Sequence, residues 1–202
     1  MRSGLGNYSP AIKARSFARF SAALLVSSLA FLFACRHERE LAQGQSAPPI
    51  QIESSSFIAG NAIPQKNTCD GAGLSPGLEW SVPPPGTKSV ALLMHDPDAP
   101  ADFTHWIVFN IPPGVQSLNE GASGQAAMPQ GSSEGTNDFG RLGFGGPCPP
   151  GGKPHRYIFT IYALDARSQL PAGATRKQLE AAIGGHILAE GEIAGTYRRQ
   201  NQ

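Results

Sequence analysis

The residues with chemistry to offer lie in three short stretches. "HDPDAP" (95–100) carries Asp96 and Asp98 on either side of Pro97, and "DFTHW" (102–106) carries His105. "KPHRY" (153–157) carries His155 and Tyr157, directly after the glycine-rich "GFGGPCPPGG" (143–152). An aspartate facing a histidine can orient the ring and favour its charged form. Two imidazoles, a phenol and loop N–H groups are together a donor set that suits a small oxyanion. The same residue types also serve enzymes as general acids and bases. Each has a plain structural use as well. Aspartate beside proline punctuates turns, and a histidine or tyrosine at a strand start can lay its body over neighbours with its polar tip in water. Glycines permit tight bends. Their clustering at the ends of elements is what favours a shared pocket.

That clustering needs strands that start and stop at one sheet edge. "SVALLMHD" (89–96) is a short, mostly apolar run that fits a central strand. "HWIVFNI" (105–111) and "HRYIFTIYALD" (155–165) read as two more, the second with the strongest strand propensity in the chain. Such strands would gather Asp96, Asp98, His105, His155 and Tyr157, with backbone from Gly145 and Gly146 exposed beside them. Alternation at Ile50, Ile52 and Phe57 opens the domain, and Leu78–Trp80 is a short strand. Residues 113–153 read as one long loop region, and loops of that length in a compact domain are usually functional. "GATRKQLEAAIGG" (173–185) predicts a helix capped by Thr175, with Leu179, Ala182 and Ile183 on one face and Gly184–Gly185 as its stop. A last strand falls near "GEIAGTYRR" (191–199). With 24 glycines and 18 prolines marking many turns, the chain is expected to be mainly β. The expected architecture is an antiparallel β-sandwich over residues 48–202, with one or two C-terminal helices.

The N-terminus is a separate object. Arg2, Lys13, Arg15 and Arg19 precede or flank "FSAALLVSSLAFLFA", and no acid occurs before Glu38. A basic start and a short apolar stretch make an export signal. The stretch is shorter than the roughly 20 residues a spanning helix needs. It ends in "LFAC", which resembles a bacterial lipobox with Cys35 as the lipidated residue, although Phe33 is larger than the usual occupant of its position. The other reading is ordinary cleavage nearby, with Cys35 a bystander. Residues 1–34 are thus expected to be a lipoprotein-type signal peptide, and residues 35–47 the lipidated cysteine and a flexible tether. Two or more acyl chains anchor a protein stably, so the expected location is the bacterial cell envelope, lipid-anchored at the periplasmic face or free in the periplasm. The chain has 16 basic and 15 acidic residues; losing residues 1–34 removes four of the former and none of the latter. The mildly acidic body argues against nucleic acid as a partner. Cys69 and Cys148 then form an even pair in an exported protein and are expected to join as a disulfide; two buried free thiols are the alternative.

"DPDAP", "HWIVFNIP" and "GPCPPGGKPHRYIFTIYALD" resemble signature blocks of the phosphatidylethanolamine-binding protein family, most closely its bacterial Raf-kinase-inhibitor-like branch. "TCDGAGLSPGLEW" and "GGHILAEGEIAGTYRR" fit the same branch, so the resemblance spans roughly residues 48–198. It implies a β-sandwich with a pocket for phosphate, phosphorylated head groups or acetate-like ions. It places Asp96 and Asp98 in the acidic block, His105 before the "VFN" strand, Gly146, Pro147, Cys148 and Pro149 in the loop wall, and His155 and Tyr157 at the next strand start. The eukaryotic pattern has a longer segment with two adjacent histidines where this chain has the short "ADFTHW". The pocket mouth should therefore differ, and the eukaryotic kinase-binding functions do not transfer safely. The bacterial branch often forms homodimers, which the resemblance extends to this chain as an expectation.

Three functions follow as expectations. The first is a binding protein for a small anionic ligand or phospholipid head group. The second is a protease- or kinase-inhibitor-like protein that binds a protein partner through residues 113–153. The third is a small hydrolase, weakened by the lack of a G-x-S-x-G or HExxH motif and of a base marked beside Ser75 or Thr104. His105, His155 and Asp96 match no usual metal-ligand spacing. No metal, cofactor or catalytic residue is therefore expected.

Overall fold

The computed structural model describes residues 48–199. The expected signal peptide, Cys35, the tether through residue 47 and the last three residues lie outside the described residues. Among the described residues, eight strands form two antiparallel sheets. The smaller pairs β1 (Ile52–Ser54), β2 (Leu78–Trp80) and β5 (Ser117–Leu118) in the order β1-β2-β5. The larger contains β3 (Ser89–Asp96), β4 (Phe103–Ile111), β6 (Ser133–Glu134), β7 (His155–Leu164) and β8 (Ile187–Tyr197), in the order β6-β4-β3-β7-β8.

The apolar run of β3 is explained by burial on both faces. Val90, Leu92 and Met94 point into the space between the sheets, where they meet Leu78, Trp80, Trp106, Val108, Phe159 and Ile161. Ala91 and Leu93 point the other way, to Ile107, Phe109, Leu179 and Ile183 beneath the helix. A strand covered on both faces loses the polar alternation of a half-exposed one. The helix, α1 (Arg176–Ile183), begins as expected at Thr175, whose side chain forms a reciprocal capping box with Gln178. It is the one α-helix among the described residues, and it lies between β7 and β8 rather than at the end of the chain.

Three local differences from the sequence reading have physical causes. β5 and β6 lie inside the stretch read as loop, and two-residue strands carry no periodicity to detect. β8 starts at Ile187, well before the expected boundary, because its early residues pair along β7 without strong apolar alternation. β4 leaves regular register with β3 between Val90 and Leu92, where Asn110 takes a left-handed φ of 59°. That residue is held by reciprocal hydrogen bonds with Ser168, Nδ2 donating to its carbonyl at 2.9 Å and Oδ1 accepting its N–H at 2.8 Å. The extra residue returns Ile111 to the face shared by Trp106 and Val108. Cys69 and Cys148 form the expected disulfide across 79 residues of sequence.

Candidate functional site

Alternation along β3 and β7 aims Asp96, His155 and Tyr157 at the same side of the large sheet as Met94, Phe159 and Ile161. They sit at one end of the large sheet, where β3 ends and β7 begins. His105 reaches this group by a different device. Met94 pairs with Trp106 and His95 with Thr104, so His105 is an extra residue bulged out of the β3–β4 ladder. A bulge re-aims the side chain it carries. The bulged backbone finds partners in the loop instead: the Gly145 N–H donates to the His105 carbonyl at 2.8 Å, and the His105 ring Nδ1–H donates to the Gly145 carbonyl at 2.6 Å.

These residues line a cavity of about 200 Å³, together with Ala99, Pro100, Phe103, Phe139, Cys148, Pro149 and Pro150. Asp96 is 3% exposed. Its Oδ1 accepts the N–H groups of Asp98 at 2.9 Å and Ala99 at 3.1 Å, which shapes the turn after β3. Its Oδ2 meets His155 Nδ1 at 2.7 Å. That contact leaves Nε2 as the ring atom of His155 open to a ligand. His105 is in the same position, because a carbonyl only accepts and Nδ1 must carry the proton. Burial holds the His105 pKa below its ordinary value, so the ring is neutral at pH 7 and its Nε2 is an acceptor until it gains a proton. Its ring stacks edge-on against Tyr157 at 5.2 Å and Phe139 at 5.4 Å.

Tyr157 is fully buried, and its hydroxyl makes no hydrogen bond among the described residues. Burial first, and then the nearby Asp96 carboxylate, push its pKa up, so the phenol keeps its proton at any physiological pH. A buried donor without a partner costs about 1–3 kcal/mol, and such an atom in a cavity wall is one that a ligand can satisfy.

The cavity thus gathers Asp96, His105, Cys148, Pro149, His155 and Tyr157 from the sequence-derived set. Asp98 is placed elsewhere. Its Oδ2 accepts the Arg156 N–H at 2.8 Å and Nε–H at 2.9 Å, and its Oδ1 accepts Nη2–H at 2.7 Å. That clamp draws the Asp98 pKa down to about 2 and keeps the carboxylate at the rim. Gly146 and Pro147 also lie outside the lining. A Cβ on Gly146 would come within 2.9 Å of the Thr68 backbone, and the Pro147 carbonyl accepts the Cys69 N–H at 3.1 Å. They join two loops rather than face the cavity. Gly145 does not expose free backbone either, since both its polar groups are bonded to His105; its missing Cβ makes room for the Phe139 ring, which such an atom would approach to 2.5 Å. Phe103 and Pro100 sit inside the quoted blocks and could have been picked out there. Phe139 lies in a stretch of loop whose pattern gives no sign of it.

Residues 53–198 match the family model described as phosphatidylethanolamine-binding protein. A UPF0098 protein of Methanothermobacter thermautotrophicus is 44% identical over 151 residues, covering 74% of this chain and 99% of the relative. A UPF0098 protein of Aquifex aeolicus is 46% identical, covering 74% and 89%. Among solved structures, E. coli YbcL, described as a member of the mammalian PEBP family, superposes with a TM-score of 0.72 at 34% identity, over 76% of this chain and all of that one. A homologue from Chlamydia trachomatis gives 0.69 at 39% identity, with the same coverage. Matched over most of its length by the family model and by these relatives, the chain belongs to the phosphatidylethanolamine-binding protein family.

Proposed function

We propose that the cavity holds a small anionic ligand, phosphate or a phosphorylated head group, and that the protein acts as a binding protein at the bacterial cell envelope. The observation that carries this reading is the Tyr157 hydroxyl, a buried donor without a partner in a cavity that two histidines also line. Both rings have Nδ1 committed to the protein, which directs Nε2 to the ligand's use. Asp96 repels an anion, yet both its oxygens are engaged by the protein, Oδ1 by the Asp98 and Ala99 N–H groups and Oδ2 by His155 Nδ1, which leaves the ring's Nε2 for the ligand. The hydrolase reading has less support: neither His105 nor His155 is hydrogen-bonded to a serine, threonine or cysteine side chain among the described residues.

Location and partners complete the proposal. Lipid on Cys35 would hold the domain at the membrane through the tether, where a head group or a protein partner is within reach; incorporation of labelled fatty acid into the parent but not Cys35→Ala checks this. A homodimer would appear in native mass spectrometry of the mature protein. Calorimetric titration with inorganic phosphate and O-phosphoethanolamine tests the site itself. Saturable heat with either supports the reading, and no heat with both removes it. Release of product from phosphatase or esterase substrates would favour the enzyme instead.

A further inference from the structure

A second cavity of about 360 Å³ adjoins the first and shares Phe139 and Cys148 with it. Arg141 supplies the one ionisable side chain in its lining. The guanidinium lies 5.3 Å from the centroid of Phe139 and makes no hydrogen bond or ion pair among the described residues. Asp70, next to Cys69, cannot neutralise it, because its carboxylate is held by Arg199 and by the Tyr197 hydroxyl. The turn through Gly71 and Gly73 forms another wall. Gly71 has no room for a side chain, since a Cβ would stand 2.2 Å from the Gln65 carbonyl. The N–H groups of Ala72 and Gly73 make no hydrogen bond within the described residues. An unpaired guanidinium and free loop amides in a cavity without an acid are suited to a carboxylate or phosphate.

We propose that the two cavities form one bipartite site, whose ligand places a phosphoryl group in the first cavity and a carboxylate or second phosphate on Arg141. The proposal rests on the anion reading of the first cavity. Phe139 lines both cavities. Its ring is 5.4 Å from that of His105 and 5.3 Å from the Arg141 guanidinium, so a single aromatic side chain borders both anion positions. Phe139 is 40% exposed, which leaves room for a short linker to pass it. Phosphoserine has this chemistry as a free monoester and as the head group of a phospholipid.

The test is calorimetry on the mature protein and on Arg141→Gln, with four probes at fixed ionic strength: inorganic phosphate, O-phosphoethanolamine, O-phosphoserine and glycerophosphoserine. O-phosphoserine is expected to bind about tenfold more tightly than O-phosphoethanolamine, which lacks the carboxylate. Arg141→Gln should erase that difference and leave inorganic phosphate unaffected. Retention of the gain by glycerophosphoserine assigns the site to a lipid head group, and its loss assigns it to the free monoester. Equal affinities for the two phosphoryl compounds, or a carboxylate gain that survives in Arg141→Gln, overturn the bipartite site while phosphate binding stands. If phosphate and O-phosphoethanolamine both fail to bind, the anion reading falls and this inference falls with it. A thermal melt of Arg141→Gln matching the parent shows that the exposed substitution leaves the fold intact.

Discussion

Asp96 and Asp98 stand two residues apart in one turn, and the protein uses them in opposite ways. The Asp96 side chain is buried, shapes the turn through two backbone N–H groups and faces His155 across the cavity wall. The Asp98 side chain lies at the exposed rim and is gripped by Arg156 through three hydrogen bonds. By count of bonds the two are equal. By environment they are not, because a buried charge that loses its partner cannot turn to water, whereas an exposed one can. The wall should therefore be intolerant of change and the rim forgiving, and substitutions at four positions test how far that contrast extends.

Asp96→Asn is the harshest of them. The amide oxygen can still accept from Asp98 and Ala99, but the NH₂ group now confronts His155 Nδ1. The Nδ1–H of His155 loses its acceptor, and the ring must offer an unprotonated Nδ1 to keep a hydrogen bond there. A loss of about 2 kcal/mol or more is expected in urea unfolding, with phosphate affinity down more than about tenfold. A variant with the parent's unfolding midpoint and the parent's phosphate affinity would erase the distinction between wall and rim.

Tyr157→Phe sharpens the contrast, because it separates stability from binding. The hydroxyl is buried and unpaired, so removing it relieves a desolvation cost. Stability should stay level or rise by up to about 1 kcal/mol, while phosphate binding weakens about tenfold. A variant that loses stability in the absence of ligand would mean that the hydroxyl already serves the fold.

Much of this was readable from residue types alone. The runs of β3 and β7 and the cap at Thr175 follow from local pattern, the pairing of Cys69 with Cys148 from the even number of cysteines left in an exported chain, and the structure agrees. Strand alternation also predicts that Asp96, His155 and Tyr157 share a face. It predicts the wrong face for His105, which sits one residue from Trp106; the bulge that corrects it depends on one backbone bond and one ring bond to Gly145, 40 residues away. The separate fates of Asp96 and Asp98 are likewise hidden, since both flank one proline and only the position of Arg156 draws the second outward. Phe139 and Arg141 enter the two cavities through loop geometry, which leaves no periodic trace.

His105 offers a gentler probe of the wall. Its pKa in the fold lies below the ordinary 6.5, chiefly because burial penalises the charged ring. As pH falls below 6.5, the unfolded chain takes up a proton that the folded one resists, so this residue's contribution to stability declines from that point downward. Above 6.5 both states are neutral there and the contribution is constant. His105→Asn keeps a donor for the Gly145 carbonyl and has no proton to gain. Its stability should fall less than the parent's between pH 7.5 and 5, read from urea midpoints at both pH values. Parallel curves would show that the ring charges in the fold as easily as in water.

Asp98→Asn should do least. The Arg156 side chain is mostly exposed and can be solvated once the carboxylate is gone, and exposed ion pairs carry little net stability. The amide oxygen can still accept the backbone N–H of Arg156, so the turn keeps its shape. The urea midpoint at pH 7 should move by a small fraction of the change in Asp96→Asn, and phosphate affinity should stay within twofold of the parent, roughly 0.4 kcal/mol. The pair should show itself in acid. A carboxylate whose pKa is drawn down to about 2 from 3.8 stabilises the fold above 3.8 and loses that contribution as pH falls toward 2. The parent and Asp98→Asn curves should therefore converge across that interval, with the parent the steeper. If instead Asp98→Asn abolishes phosphate binding at pH 7, the rim carboxylate acts on the ligand through Arg156 and His155 between them, and the division between the two aspartates is one of position rather than of role.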